Sequence, residues 1–227
     1  GDMCGNGVRC FAKFVIDKKI VKEFQECVDV ETKSGVLSVL PLWENNIIIG
    51  GKVKMGVPRT DPSDIPVILD QDKIITNQNP IIRYPVTIDE IPLQLTFVSM
   101  GNPHAVAFID EPIESFPLSR IGPKIENHPM FPDRVNFEIV NRMGNEDFKA
   151  RVWERGSGET MACGSGACAI AVASRLVDIS DSHLSSFPDS VKIQLPGGTL
   201  NVIWDGLHDI YLEGPVKEVF SGDWNLE

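Results

Sequence analysis

Residues 163–177, CGSGACAIAVASRLV, and residues 4–16, CGNGVRCFAKFVI, decide how this chain is read. Each opens on a cysteine in the frame Cys-Gly-polar-Gly and runs on into an apolar stretch of helical character. The glycines suit a tight entry into a helix N-terminus. The sequence downstream of each stretch is also alike. After the first come CVDVET, a turn at Ser34-Gly35, VLSVLPLW, a turn at Glu44-Asn45-Asn46, and NIIIGGKVKM. After the second come VKIQL, Pro196-Gly197-Gly198, TLNVIW, Asp205-Gly206 and HDIYLEG. Short runs rich in β-branched residues, separated by turn residues, predict a three-stranded meander in both places. Cys4 and Gly56 stand 52 residues apart, Cys163 and Gly214 stand 51 apart. One helix and three strands recur in the same order at nearly the same length, the mark of an internal duplication that makes two similar lobes.

The expected fold class is therefore mixed α/β (α+β). Two pseudo-symmetric lobes are expected, each a mixed or antiparallel sheet wrapped around a central helix. The boundaries read as a first lobe over 1–60, a Pro- and Asp-rich connecting segment over 61–92, a second lobe over 93–218, and a tail over 219–227 that returns to the first lobe. LQLTFVSM, HAVAFI, RVNFEIV and DFKARVWER predict strands that form the front half of the second lobe. By the logic of the repeat, the matching half of the first lobe lies upstream of Gly1.

Composition narrows the function. The 227 residues can bury a substantial core. A net charge of −11 argues against a nucleic-acid partner, which calls for clustered Lys and Arg. No stretch approaches 18 consecutive apolar residues, so nothing reads as a membrane span. The five cysteines are odd in number and irregular in spacing, which fits a reducing compartment better than a disulfide framework. Their spacing and the four scattered histidines also argue against a metal site. No glycine-rich phosphate loop stands beside a lysine, so pyridoxal phosphate is not implied, nor is any other cofactor.

Cys10, Cys27 and Cys168 read as small buried hydrophobes. Cys4 and Cys163 read differently, because each sits where a helix begins. Unpaired N–H groups and the helix dipole favour a thiolate there and are expected to draw its pKa from about 8.5 toward neutral. The same N–H groups can hold a carboxylate. If the lobes face each other, two thiols flank one ligand. One can remove a proton from a carbon while the other returns a proton to the opposite face, which inverts the centre. The N–H groups would spread the charge that develops on a carboxylate-bearing carbon.

MCGNGVRCFAKFV, SMGNPHAVAF, RVNFEIV and RVWERGSGETMACGSGACA closely resemble the diaminopimelate epimerase family, from Met3 to about Gly214. The resemblance implies two lobes about a pseudo-two-fold axis, an active site in the cleft between them, and cofactor-independent interconversion of LL- and meso-2,6-diaminopimelate. It implies Cys4 and Cys163 as the acid/base pair, with His104 and Glu154 poising the thiols and the reacting amine. Gly5, Asn6, Gly164 and Ser165 would hold the reacting carboxylate. Asn102, Asn136, Glu154 and Arg155 would bind the rest of the substrate. It also implies a homodimer in the bacterial cytoplasm, or in a plastid if the source is a plant.

The residues alone leave other readings open. Arg155 offers a bidentate fork but could be a surface ion pair. Asn102 and Asn136 suit turns and strand ends as well. Arg9 reads as a packing or surface residue. A proline-type racemase would share the cysteine pair, but a histidine is expected there in place of Asn6. A phenazine-type isomerase would lack the pair. A thiol redox or binding protein would use the pair as a regulatory disulfide.

Overall fold

The computed structural model describes residues 4–21, 26–33, 35–70, 79–181 and 188–223. Met3, Ser34, residues 71–78 of the connecting segment and 224–227 of the tail lie outside them. Among the described residues, both predicted repeats form. Helix α1 (Gly5–Asp17) leads into strands β1 (Val28–Thr32), β2 (Gly35–Glu44) and β3 (Ile47–Gly56), an antiparallel meander. Helix α3 (Gly164–Ser180) leads into β10 (Ser190–Leu195), β11 (Gly198–Ile203) and β12 (Ile210–Pro215), a second antiparallel meander.

Between them run β4 (Tyr84–Ile88), β5 (Ile91–Ser99), β6 (Pro103–Phe108), helix α2 (Leu118–Glu126), β7 (Asn136–Arg142), β8 (Asp147–Glu154) and β9 (Gly158–Thr160). The strands join as β1-β2-β3-β12-β11-β10-β8-β7-β6-β5-β4, with β9 on β8. Pairing is antiparallel except β6 with β7 and β8 with β10, so the sheet is mixed. Strands β3 and β12, the last of each repeat, pair with each other, so the lobes meet through their sheets as well as across their helices.

Burial explains why the helices lie where they do. Helix α3 is apolar or small on nearly every side, and Ala167 to Ala173 are all buried. A helix of that kind is stable only inside a protein. It packs against strands from both sides of the second lobe: β5, β6, β7, β10, β11 and β12. Helix α1 buries only Val8, Arg9, Ala12, Val15 and Ile16 beyond its first glycine. Phe11, Phe14 and Cys10 on its other face are exposed. Cys168 is buried as expected; Cys10 and Cys27 are not, because α1 turns Cys10 outward and Cys27 precedes β1 on an exposed edge. The tail from Val216 runs back along α1, where Glu218 lies 3.7 Å from Lys18.

Helix α2 and strand β4 are not predicted by the sequence pattern. LSRIGPKIE carries Gly122 and Pro123, which read as helix breakers in a sequence. The glycine is needed because α2 lies so close on β8 that a Cβ at 122 would sit 2.5 Å from the Trp153 ring. Strand β4 is part of the stretch 61–92 that reads as a connection, and it forms the outer edge of the sheet beside β5.

Candidate active site

Cys4 and Cys163 are the N-cap residues of α1 and α3. Both have extended backbone, and in both the sulfur accepts the N–H three residues on: Gly7 at 3.2 Å and Gly166 at 3.4 Å. Ser, Thr, Asp and Asn ordinarily fill this position with oxygen. A thiol here sits where the helix end favours negative charge. The first-turn N–H groups of Gly5, Asn6, Gly164 and Ser165 have no carbonyl of their own helix to bond.

The two helix starts meet. A Cβ built on Gly164 would lie 3.5 Å from Gly5 Cα and 3.6 Å from Asn6 Oδ1. A Cβ on either glycine would lie 2.9 Å from Leu212 Cδ2, so one leucine of β12 floors both helix ends. Asn6 Nδ2 spans the junction and donates to the Ala162 carbonyl at 3.4 Å. The first glycine of each motif is needed because both helix starts press on the Leu212 side chain, with Gly164 also against the backbone of Gly5.

Cys4 is exposed and Cys163 is buried. Burial pushes the Cys163 thiol up to about 12, with the charges of Glu154 and Glu138 adding to it. Hydrogen bonds from Ser165 and Gly166 act in the other direction but are weaker than the burial. The expected drop toward neutrality is therefore reversed at Cys163: removing water costs the thiolate more than the helix end returns. The consequence for stability has a definite sign. Below about 9 the thiol is protonated in both folded and unfolded chains. Between about 9 and 12 the unfolded chain gives up a proton that the folded chain keeps, so stability is lost as pH rises, by up to about 1.4 kcal/mol per unit. Thermal denaturation from pH 8.5 to 10.5 is expected to show a falling midpoint, and Cys163→Ala should flatten that fall.

A line of hydrogen bonds leads from the second-lobe sheet to Cys163. His104 on β6 is fully buried; its Nδ1 lies 2.7 Å from Glu138 Oε1 on β7. Its Nε2 lies 3.1 Å from Asn102 Oδ1. Asn102 Nδ2 donates to Ser165 Oγ at 3.3 Å, and Ser165 Oγ lies 3.5 Å from Cys163 Sγ. Glu138 is fully buried, its Oε2 has no hydrogen-bond partner, and burial holds its carboxyl above the usual range. Its Oε1 also reaches under α3, 2.8 Å from a Cβ built on Gly166.

The remaining site residues stand at the adjoining strand ends. Asn136 pairs with His104 across β6 and β7. Both ends of its amide are engaged: Nδ2 with the Pro103 carbonyl at 2.9 Å, Oδ1 with the Arg155 N–H at 2.9 Å. Glu154 accepts from Thr160 Oγ1 at 2.5 Å and is close enough to act electrostatically on Cys163. The Arg155 guanidinium donates to the Asp133 carbonyl at 2.9 Å. Buried Glu126 fastens this corner by accepting from Trp153 Nε1, Arg134 and the Gly156 N–H.

The structure thus gathers Asn102, His104, Asn136, Glu154 and the Cys163–Ser165 start of α3 at one end of the second-lobe sheet, with Cys4–Asn6 meeting them across the junction. Glu138, Glu126 and Thr160 escape the sequence reading. The signal for Glu138 is a charged residue amid the apolar run RVNFEIV.

The family model for diaminopimelate epimerase matches residues 96–219. The chain is 42% identical over 223 residues to a diaminopimelate epimerase of Leptospira biflexa, covering 98% of this chain and 74% of that protein. It is 40% identical to one from Desulfovibrio desulfuricans, covering 99% and 75%. Among solved structures, a hydroxyproline epimerase from Agrobacterium vitis superposes with a TM-score of 0.62 at 11% identity, over 94% of this chain and 64% of that one. A Bacillus anthracis phenazine biosynthesis protein of the PhzF family superposes with a TM-score of 0.55 at 14% identity, over 96% and 75%. At such low identity the two superpositions show a shared fold. The relatives at about 40% identity, each matched over three quarters of its length, show more: the chain belongs to the diaminopimelate epimerase family.

Proposed function

We propose that this protein interconverts LL- and meso-2,6-diaminopimelate without a cofactor, in the formation of lysine and peptidoglycan precursors, with Cys4 and Cys163 as its two acid/base groups. The observation that carries the reading is the pair of N-cap thiols on two helices whose first turns touch. The substrate carboxylate next to the reacting carbon sits on the N–H groups of Gly5, Asn6, Gly164 and Ser165. As the α-proton leaves, the charge delocalises into that carboxylate, where fixed N–H donors stabilise it without reorganising. One cysteine, as thiolate, takes the proton. The other, as thiol, gives its own proton to the opposite face, and the carbon emerges inverted. The exchanged thiol and thiolate are then set for the reverse direction.

The Cys163 environment suits the donor role: burial keeps its proton on until a carbanion forms beside it. Once Cys163 has given up that proton, Gly166 and Ser165 are within donor reach of its sulfur. Glu154, held by Thr160, faces the reacting ammonium, and the Arg155 fork takes the distal carboxylate. Asn102 and Asn136 act from behind, by holding His104, Ser165 and the Arg155 backbone, since their amides are already engaged. A cytoplasmic homodimer is part of the same reading. Among the described residues no helix is long and apolar enough to cross a membrane.

The test is isotope exchange. The protein is incubated with LL-diaminopimelate in deuterium oxide, and the product is analysed for α-deuterium and stereochemistry. Meso product carrying one solvent deuterium at the inverted carbon is expected. Turnover with retention of the original hydrogen, or none, would exclude the two-base reading.

A further inference from the structure

Arg9 reads in the sequence as a packing or surface residue, and in the structure it is not on the surface. Its side chain is 4% exposed, beneath the first turn of α1. Nη1 donates to the Gly5 carbonyl at 3.3 Å and Nη2 to Asn6 Oδ1 at 2.9 Å, while Nε is buried with no hydrogen-bond partner. Among the described residues no carboxylate pairs with it. Two glycines make room for it: a Cβ at Gly214 would lie 2.8 Å from Nη2, and one at Gly51 would lie 3.3 Å from Cγ. These are the glycines that the sequence places in IIGG and LEGP, one at the centre of β3 and one near the end of β12.

A buried cation without an anion is costly. Burial works against the charge of this guanidinium, and the sulfurs of Cys10, Cys4 and Cys168 lie near enough to act on it. A chain selected only for stability would do better with an apolar side chain of similar length. An anion drawn to the first turn of α1, where Cys4 is exposed, would offset that cost.

We propose that Arg9 is a positioning residue that makes the α1/α3 junction a carboxylate site. Its fork turns the Asn6 amide so that Oδ1 faces inward and Nδ2 faces the junction. Its charge, which no carboxylate among the described residues pairs, lies behind the N–H groups of Gly5 and Asn6 and adds to the pull of two helix ends on one anion. The inference rests on the reading of that junction as the seat of the substrate's reacting carboxylate.

The test needs no turnover. Cys4 is exposed at the junction and can be alkylated by iodoacetate, an anion, or by iodoacetamide, its neutral counterpart. The ratio of the two rates at Cys4, followed by peptide mass spectrometry, cancels the thiolate fraction and reports the local attraction for a carboxylate. Exposed Cys27 serves as an internal reference. In Arg9→Met the Cys4 ratio is expected to fall roughly tenfold, while the thermal midpoint holds or rises. Arg9→Gln should show the same fall, and Arg9→Lys should restore most of the ratio. An unchanged ratio in whichever neutral variant folds would overturn the proposal. So would a fall in Arg9→Lys as large as in Arg9→Met. Because the ratio is read without substrate, it tests Arg9 even in a protein that fails to epimerise diaminopimelate.

Discussion

Alanine at Cys4 or at Cys163 is expected to abolish inversion while leaving one half of the proton chemistry. On the proposed mechanism, each thiol serves one face of the carbon. A variant that keeps one thiol can still remove the α-proton of the stereoisomer that presents it to that thiol. It can return solvent deuterium only to the same face. Each single variant should therefore exchange the α-hydrogen of one stereoisomer without inverting it and leave the other isomer untouched, and the two variants should be complementary. Loss of a positioned acid or base reduces rate by roughly 10²- to 10⁴-fold, so inversion should fall by at least that factor in both. The measurement is mass and chirality of LL- and meso-diaminopimelate recovered from deuterium oxide with each variant. It also assigns each cysteine to a face, which pseudo-symmetry leaves undetermined. Inversion persisting in either variant would remove that cysteine from the mechanism. The fold should survive both changes: Cys4 is exposed, and losing an N-cap costs about 1 kcal/mol.

The repeat is legible because both copies use the same punctuation. A Cys-Gly-polar-Gly entry, an apolar run and three short strands divided by turn residues place α1 and α3, and six strands besides, within a few residues of where they form. The cysteines' place at the helix starts follows from the same signal. Three kinds of feature are not legible. Helix α2 is hidden because Gly122 and Pro123 obey a tertiary demand, the Trp153 ring, which outweighs local propensity. The pairing of β3 with β12 joins residues more than 150 positions apart, and no local pattern encodes it. The burial that decides the state of Cys163 depends on how completely the sheet closes around α3, so the helix-end argument gives the direction of one contribution but not its rank. Arg9 and Glu138 show the same limit from the other side. Each is a charge inside an apolar run, which is visible in the sequence, but only the packing tells a buried charge from a solvated one.

Glu138→Gln is expected to cost activity far more than stability, and the hydrogen-bond inventory gives the reason. Asn102 Nδ2 donates to Ser165, so its Oδ1 is the end that faces His104, and Oδ1 can only accept. His104 Nε2 therefore carries a hydrogen. Across the ring, a single proton occupies the 2.7 Å contact between Nδ1 and Glu138 Oε1, and the buried pair has no net charge whichever atom holds it. With Asn102 donating to Ser165, the serine hydroxyl is left to donate to Cys163 when that sulfur becomes a thiolate. From His104 Nε2 onward, every donor in the line points toward Cys163. Glutamine at 138 keeps the shape and can donate to Nδ1, which preserves the direction of the line, but it cannot pass a proton to the ring. A charge-assisted hydrogen bond is worth about 1.5–3 kcal/mol, so kcat should fall roughly 10- to 150-fold with KM little changed. Glu138→Ala is a harsher change, because it leaves buried His104 without its partner and opens a void. Breaking a buried pair costs about 3–5 kcal/mol. For a chain of this size that is a fall of roughly 6–20 °C in the thermal midpoint. Steady-state kinetics on the glutamine variant and calorimetry on both separate the two roles. Full kcat in Glu138→Gln, with an unchanged pH profile, would make the pair a structural brace and end the line of donors at His104.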